Sequence, residues 1–435
     1  MLTSKDTVYR ISNTGAKMAT NSKPEMNQEP AVQRNGRHYT WRCATMNAAF
    51  EPRDGAGMLS FRGKLWLLGG WNPWCEEFFP HPQDTNSEVW SSHDGRHWEF
   101  EAHAPWAGRH CAGWLVHDDG EGKGEKLFVV GGDANPPVGY DMDVWSSTNG
   151  KDWVCVNAQT PWSPRAGCIT ASCAGFLWLM GGQTKGDPDT TVGFAGARDA
   201  SGQAAANIPT LNVGAKAGSE QAYNDVWRSR TGAQWECVTA AAPWAPRGWV
   251  GGNAVLNGRL WVVGGGFIGG FDPATGTVGY VQDSLVYPVP KPTRLYLNDV
   301  WSSADGREWI CHTAHAAFRR RHYHEVLSWD SKLWVLGGFN GHPHLYEEEA
   351  SAGAGAAGMP AVGSEGNRND VWYSHDGVTW HELKGTPWVA RHASSVTVHS
   401  DSLWISTGNT DWTGMPKLQG ASGMRADVWS LAGRA

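Results

Sequence analysis

One pair of residues recurs along this chain and limits what it can fold into. Val-Trp occurs six times, at Val89-Trp90, Val144-Trp145, Val226-Trp227, Val300-Trp301, Val371-Trp372 and Val428-Trp429. Five copies are followed eight residues later by a second Trp: Trp98, Trp153, Trp235, Trp309 and Trp380. Upstream of each copy lies an apolar run ending in a Gly pair: Gly69-Gly70, Gly131-Gly132, Gly181-Gly182, Gly264-Gly265 and Gly337-Gly338, with Thr407-Gly408 in the sixth. A unit of this length cannot close a core alone, so its copies must stack as a solenoid or a propeller.

Each unit offers four short apolar stretches separated by turn signals, as an antiparallel sheet requires. The first follows an arginine, the second ends in the Gly pair, the third ends in Val-Trp and the fourth begins at the second Trp. The third and fourth are joined by turns such as Ser92-His93-Asp94-Gly95, where Gly takes a positive φ cheaply. A strand-4 Trp, Trp41, precedes any complete unit, and the last unit stops after its third strand. The strand around Tyr39 to Cys43 is therefore expected to pair with Val428-Trp429 and close the ring, which protects its edges. The expected fold is all-β: a six-bladed propeller of four-stranded antiparallel blades over residues 37–435, after a flexible extension at 1–36.

The Gly pair, the strand-3 aromatic and the strand-4 Trp resemble the kelch repeat, and the resemblance covers Arg37 to Leu431. This chain places Trp where many kelch repeats carry Tyr at strand 3. Kelch propellers include scaffolds, substrate adaptors and enzymes, so the resemblance implies a fold and leaves the activity open.

The length of the 2–3 connection varies most, with insertions at 183–224, 266–298 and 339–369. Up-and-down strands put the 2–3 and 4–1 loops at one end of every blade. The recurring arginines, Arg53, Arg109, Arg165, Arg247, Arg321 and Arg391, begin strand 1 at that same end. They admit two readings: braces between neighbouring blades, through backbone carbonyls or a carboxylate, or a basic ring around the channel mouth that accepts carboxylates or an acidic peptide. In kelch adaptors the start of strand 1 lines the ligand pocket, so the resemblance implies the second. Six of the 27 tryptophans fall outside the recurring packing slots: Trp71, Trp74, Trp114, Trp249, Trp329 and Trp412. Trp71, Trp74 and Trp412 flank strand 2 on the loop face and join the six arginines as candidate ligand-binding residues.

Two segments hint at chemistry. Arg321-His322-Tyr323-His324 is similar to the Arg-x-Tyr-His stretch of galactose-oxidase-type copper enzymes, where the Tyr and His are copper ligands. Carried over, Tyr323 and His324 would be joined by His392, but the position of that family's thioether-linked tyrosine falls to Trp90 or Trp145. A plainer metal site would use His322, His324, His342 and His344. The ligand sets are incomplete, so no metal and no cofactor is expected. The Ser-x-Asp-Gly-x-x-Trp turns (Ser92 to Trp98, Ser303 to Trp309) resemble the Asp-box of sialidases, one residue shorter, and staple a hairpin on the plain face.

Net charge is −7 and no basic stripe is present, so a nucleic-acid partner is not expected. No apolar window suits a membrane span. Cys43, Cys155, Cys237 and Cys311 each follow a strand-4 Trp by two residues and read as small buried apolar groups, in a reduced, cytoplasmic protein. The expected function is non-catalytic recognition of a protein or peptide by a monomeric scaffold, on the 2–3/4–1 loop face. The alternative is a carbohydrate-binding or carbohydrate-active propeller, of galactose-oxidase or sialic-acid-processing type.

Overall fold

A computed structural model describes residues 31–32, 38–72, 85–122, 124–134, 139–184, 221–266, 270–272, 277–279, 296–340, 366–410 and 423–434. These form a six-bladed β-propeller, with no helix among the described residues. Blade 1 runs outward through Gly57–Phe61, Lys64–Leu68, Glu88–Ser92 and Glu99–His103. Blades 2, 3 and 5 repeat that order from Gly113–Asp118, Ile169–Cys173 and His324–Trp329. Blade 4 departs from it. Its inner strand breaks at Gly252, φ 77°, into Val250–Gly251 and Val255–Leu256. The first half pairs in parallel with the inner strand of blade 5.

The ring closes as the end deficits require. Ser395–His399, Ser402–Ser406 and Val428–Arg434 form three strands of blade 6, and His38–Thr45 from the N-terminus supplies the fourth. Its register pairs Trp41 with Leu431, Cys43 with Trp429 and Thr45 with Val428. Ala31–Val32 adds a short fifth strand against His38 and Tyr39. The rest of the 1–36 extension lies outside the described residues, as does most of each insertion. A two-stranded hairpin, Gly270–Asp272 with Thr277–Gly279, is described within 266–298.

The repeated residues form a bonded unit in every blade. Each recurring arginine is at most 1% exposed and aims its guanidinium into the blade. Arg321 donates to the Gly337 carbonyl at 2.8 Å and to both oxygens of Asp370 at 2.7 Å. The indole of Trp372 donates to the same carboxylate at 2.7 Å. Blades 2, 3, 4 and 6 repeat this with Asp143, Asp225, Asp299 and Asp427, while in blade 1 Glu88 accepts one bond from Arg53 and Asn86 accepts the other. The acid immediately before each Val-Trp therefore ties the strand-3 Trp to the strand-1 Arg. Bidentate charge-assisted bonds of this kind fix orientation as well as adding energy. Arg109, Arg247 and Arg391 also lie over the corner rings Trp106, Trp244 and Trp388, and Phe50 and Phe318 fill that corner under Arg53 and Arg321.

The Gly pair serves contact between blades. Its second glycine takes φ between 91° and 114° in all six copies. Its N–H donates to the carbonyl of the next blade's arginine, as in Gly70 to Arg109 at 2.9 Å and Gly408 to Arg53 at 2.8 Å. A Cβ on the first glycine of blade 1 would stand 2.8 Å from the Arg109 carbonyl. Thr407 holds that place in blade 6 at φ 57°, so the altered copy keeps the conformation. At the opposite end the Ser-x-Asp-Gly turns are stapled as expected. Ser92 Oγ accepts from Gly95 N, Asp94 Oδ1 accepts from two backbone N–H groups, and Trp98 donates to the Gly95 carbonyl. Turn glycines also seat neighbouring blades: a Cβ on Gly150 would meet Trp66 at 2.1 Å, and one on Gly377 would meet Trp261 at 2.4 Å.

One expectation is corrected. Cys43, Cys155, Cys237 and Cys311 are exposed. They stand on the outermost strand of their blades, across from the strand-3 Trp. On these outermost strands most positions after the first Trp are open or half-open to solvent on both faces, with Leu383 of blade 5 buried. Cys168 and Cys173 are buried, and the seven described cysteines are free. No helix among the described residues is long and apolar enough to cross a membrane.

Candidate functional site at the channel mouth

The six inner strands enclose a narrow central channel, and a closed belt of backbone bonds rings its loop-side end. The belt residues stand two positions after each arginine: Gly55, Cys111, Gly167, Trp249, Tyr323 and Ala393. Each has a left-handed φ between 49° and 63°. Each donates its N–H to the carbonyl of the preceding blade's belt residue, and Gly55 closes the circle on Ala393, at 2.5 to 2.9 Å. Four of the six are not glycine. The left-handed backbone costs an L-residue roughly 1–2 kcal/mol, and the interblade bond offsets part of that.

The residue between arginine and belt is the layer where the blades differ. It is Asp54, His110, Ala166, Gly248, His322 and His392 in order. Each pairs by backbone with the residue after the Gly pair: Asp54 with Trp71, His110 with Asp133, Ala166 with Gln183, Gly248 with Gly266, His322 with Phe339 and His392 with Asn409. The scaffold thus sets twelve residues at one level, ten of them with side chains, and constrains only their backbones.

Blades 1 and 2 make this layer acidic. His110 Nδ1 lies 2.7 Å from Asp133 and Nε2 lies 3.3 Å from Asp54. Burial alone would lower the His110 pKa, but the charge of Asp133 and its hydrogen bond, with Asp54 beyond, raise it well above the usual value. Burial pushes the Asp54 carboxyl up. Asp141 rises to about 7, because burial and the neighbouring carboxylates outweigh Arg109. Cys111 Sγ approaches His110 Nε2 at 3.2 Å. The connectivity is that of a nucleophile and base, but the protonation is not. Burial holds the thiol at about 11, and the acids around His110 raise its pKa, which favours the protonated imidazole over a free base.

Blades 5 and 6 make the layer aromatic. His322 stacks on Tyr296 with ring centroids 4.6 Å apart and touches Tyr323 and Phe339. His392 Nδ1 contacts Asn367 Oδ1 at 2.7 Å, and burial lowers its pKa to about 3. Trp249 donates to Gln183 at 2.7 Å and lies against Tyr323. Trp71 is partly exposed, its ring 6.1 Å from that of His110.

The candidates read from the sequence separate clearly. Arg53, Arg109, Arg165, Arg247, Arg321 and Arg391 are braces, but within their own blades and not between neighbouring blades: every guanidinium is engaged inside its blade. Trp71 stands at the mouth. Trp74 and Trp412 lie outside the described residues, as do His342 and His344. Trp114, Trp249 and Trp329 are buried packing residues. His324 turns away from the mouth to the Val263 carbonyl at 2.9 Å, and burial holds it at about 3, so it does not join Tyr323 and His392. Among the described residues no group of three His, Cys, Asp or Glu side chains is placed to hold a metal ion. The sequence reading missed Asp54, His110, Cys111 and Asp133. Counting one or two positions on from each arginine would have found the first three.

No protein-family model matches this chain, and no curated protein matches it. The fold and the mouth define it as a six-bladed β-propeller with a differentiated channel mouth.

Proposed function

We propose that this propeller is a kelch-type recognition scaffold that binds a protein or peptide on its 2–3/4–1 loop face, at the channel mouth. One observation carries the reading. The arginine, the acid, the Trp and the positive-φ glycine recur in every blade, whereas the pair of residues they place at the mouth differs from blade to blade. Histidines and carboxylates buried at that level are costly to keep. Function resides on variable positions over a rigid scaffold. On this reading the arginines act indirectly, by fixing where strand 1 starts, and Trp71 with Asp54, His110 and Asp133 meets the ligand. An aromatic ring beside carboxylates also suits a sugar, which keeps a carbohydrate ligand as the second reading.

The test is affinity capture from native extract, followed by measurement of the captured partner against Trp71→Ala and Asp133→Asn. Each variant is expected to bind at least about tenfold more weakly, equivalent to 1.4 kcal/mol, at near-normal melting temperature. Normal binding by both, with loss in the opposite-end variants Asp94→Ala or Asp305→Ala, would place recognition at the other end. A glycan array separates the sugar reading.

A further inference from the structure

The central channel holds about 50 Å³ of free space, walled mostly by small side chains. That accommodates a few waters or one ion. Among the described residues of its wall, one carries a carboxylate. Glu325, on the inner strand of blade 5, is 4% exposed. No hydrogen bond or ion pair reaches its carboxylate from any described residue, and burial alone displaces its titration. The neighbouring inner strand makes room for it. Gly251 pairs with Glu325 in parallel register, and a Cβ there would stand 2.0 Å from Glu325 Oε2. Thr170, Asn253, Ser394 and Ser395 are uncharged oxygen-bearing residues of the same wall; Thr170 Oγ1 donates to Asn253 Oδ1 at 3.4 Å, and Ser395 Oγ donates to the Ala56 carbonyl at 2.7 Å.

We propose that the channel binds one monovalent alkali cation, held by the Glu325 carboxylate and the neutral oxygens around it. A buried carboxylate without a partner must keep a proton or take a counter-ion. Among the described residues no lysine, arginine or histidine lines the wall: the other titratable side chains there are Cys111, Cys168 and Tyr323, all of them acids. His324, the adjacent residue, is bonded to Val263. One carboxylate balances one positive charge, whereas a divalent ion would leave charge uncompensated in a desolvated channel. Oxygen-only donors suit a hard cation.

The test is thermal unfolding of the full chain in sodium, potassium or choline chloride at one ionic strength. A carboxyl whose folded pKa is raised stabilises the fold below the unfolded value and loses that stability as pH rises through the folded value. In choline chloride the melting temperature should therefore fall between about pH 5 and about pH 8. Sodium or potassium should restore it by at least about 2 °C at the upper pH and have little effect at the lower. Glu325→Gln should show a smaller fall, since Asp54 and Asp141 are raised as well, and no restoration by either ion. Sodium-23 NMR of the wild-type protein gives a direct readout that needs no variant: line broadening that excess potassium displaces. Equal melting temperatures in all three salts without such broadening would overturn the proposal. So would the same ion response in Glu325→Gln, or stabilisation by calcium alone.

Discussion

At the residue scale, the arginine, the carboxylate and the strand-3 Trp behave as one unit. Asp370 illustrates its electrostatics. Burial would raise this carboxyl, but the charge and hydrogen bonds of Arg321 hold it at about 2. Asp299 and Asp427 are lowered in the same way by Arg247 and Arg391. A depressed carboxyl adds stability above the unfolded pKa and loses it as pH falls toward the folded one. Stability should therefore drop as pH falls from about 4 toward 2, with Asp370 alone contributing about 2 kcal/mol. Denaturant unfolding across that range checks it, and a flat profile would contradict it. Removing one partner of a buried pair is more severe: Arg321→Met should cost about 3 kcal/mol or more in the same assay. The cysteines provide a separate check. In a Cys75→Ser background, a thiol reagent should label Cys43, Cys155, Cys237 and Cys311 first and Cys168 and Cys173 only on unfolding. Early labelling of Cys168 would contradict the placement.

At the element scale, the sequence was most legible where a constraint falls on side chains at a fixed spacing. Val-Trp, the strand-4 Trp and the Ser-x-Asp-Gly turn each do a job that one residue type performs, so they repeat and can be counted. The acid before Val-Trp was equally countable, and with it the arginine reads as a brace. The belt was not legible. Its residues are Gly, Cys, Gly, Trp, Tyr and Ala, since the constraint there is a backbone φ and an N–H bond that leave the side chain free. The strand-4 cysteines were misread because alternation implies one covered face, and on these outermost strands most positions after the first Trp are open or half-open on both faces. Closure by His38–Thr45 follows from the two incomplete ends. Deleting residues 1–45 should destabilise the whole ring, while deleting 1–30 should leave the melting temperature nearly unchanged. Equal melting temperatures for both truncations would contradict the closure.

At the scale of the whole molecule, the two ends of the propeller are built for different tasks. One carries short stapled turns against which neighbouring blades seat their tryptophans. The other carries the insertions, two concentric rings of interblade backbone bonds, and a layer of side chains that breaks the sixfold repeat. The rings hold that layer rigid, so a ligand meets preset side chains with little ordering cost. The most direct measurement is hydroxyl-radical footprinting of the full chain with and without its captured partner. Protection should centre on Trp71 and His110, while His97 on the turn end and Ile310 on the outer rim stay unchanged. Protection of His97 or Ile310 with Trp71 left reactive would contradict recognition at the channel mouth.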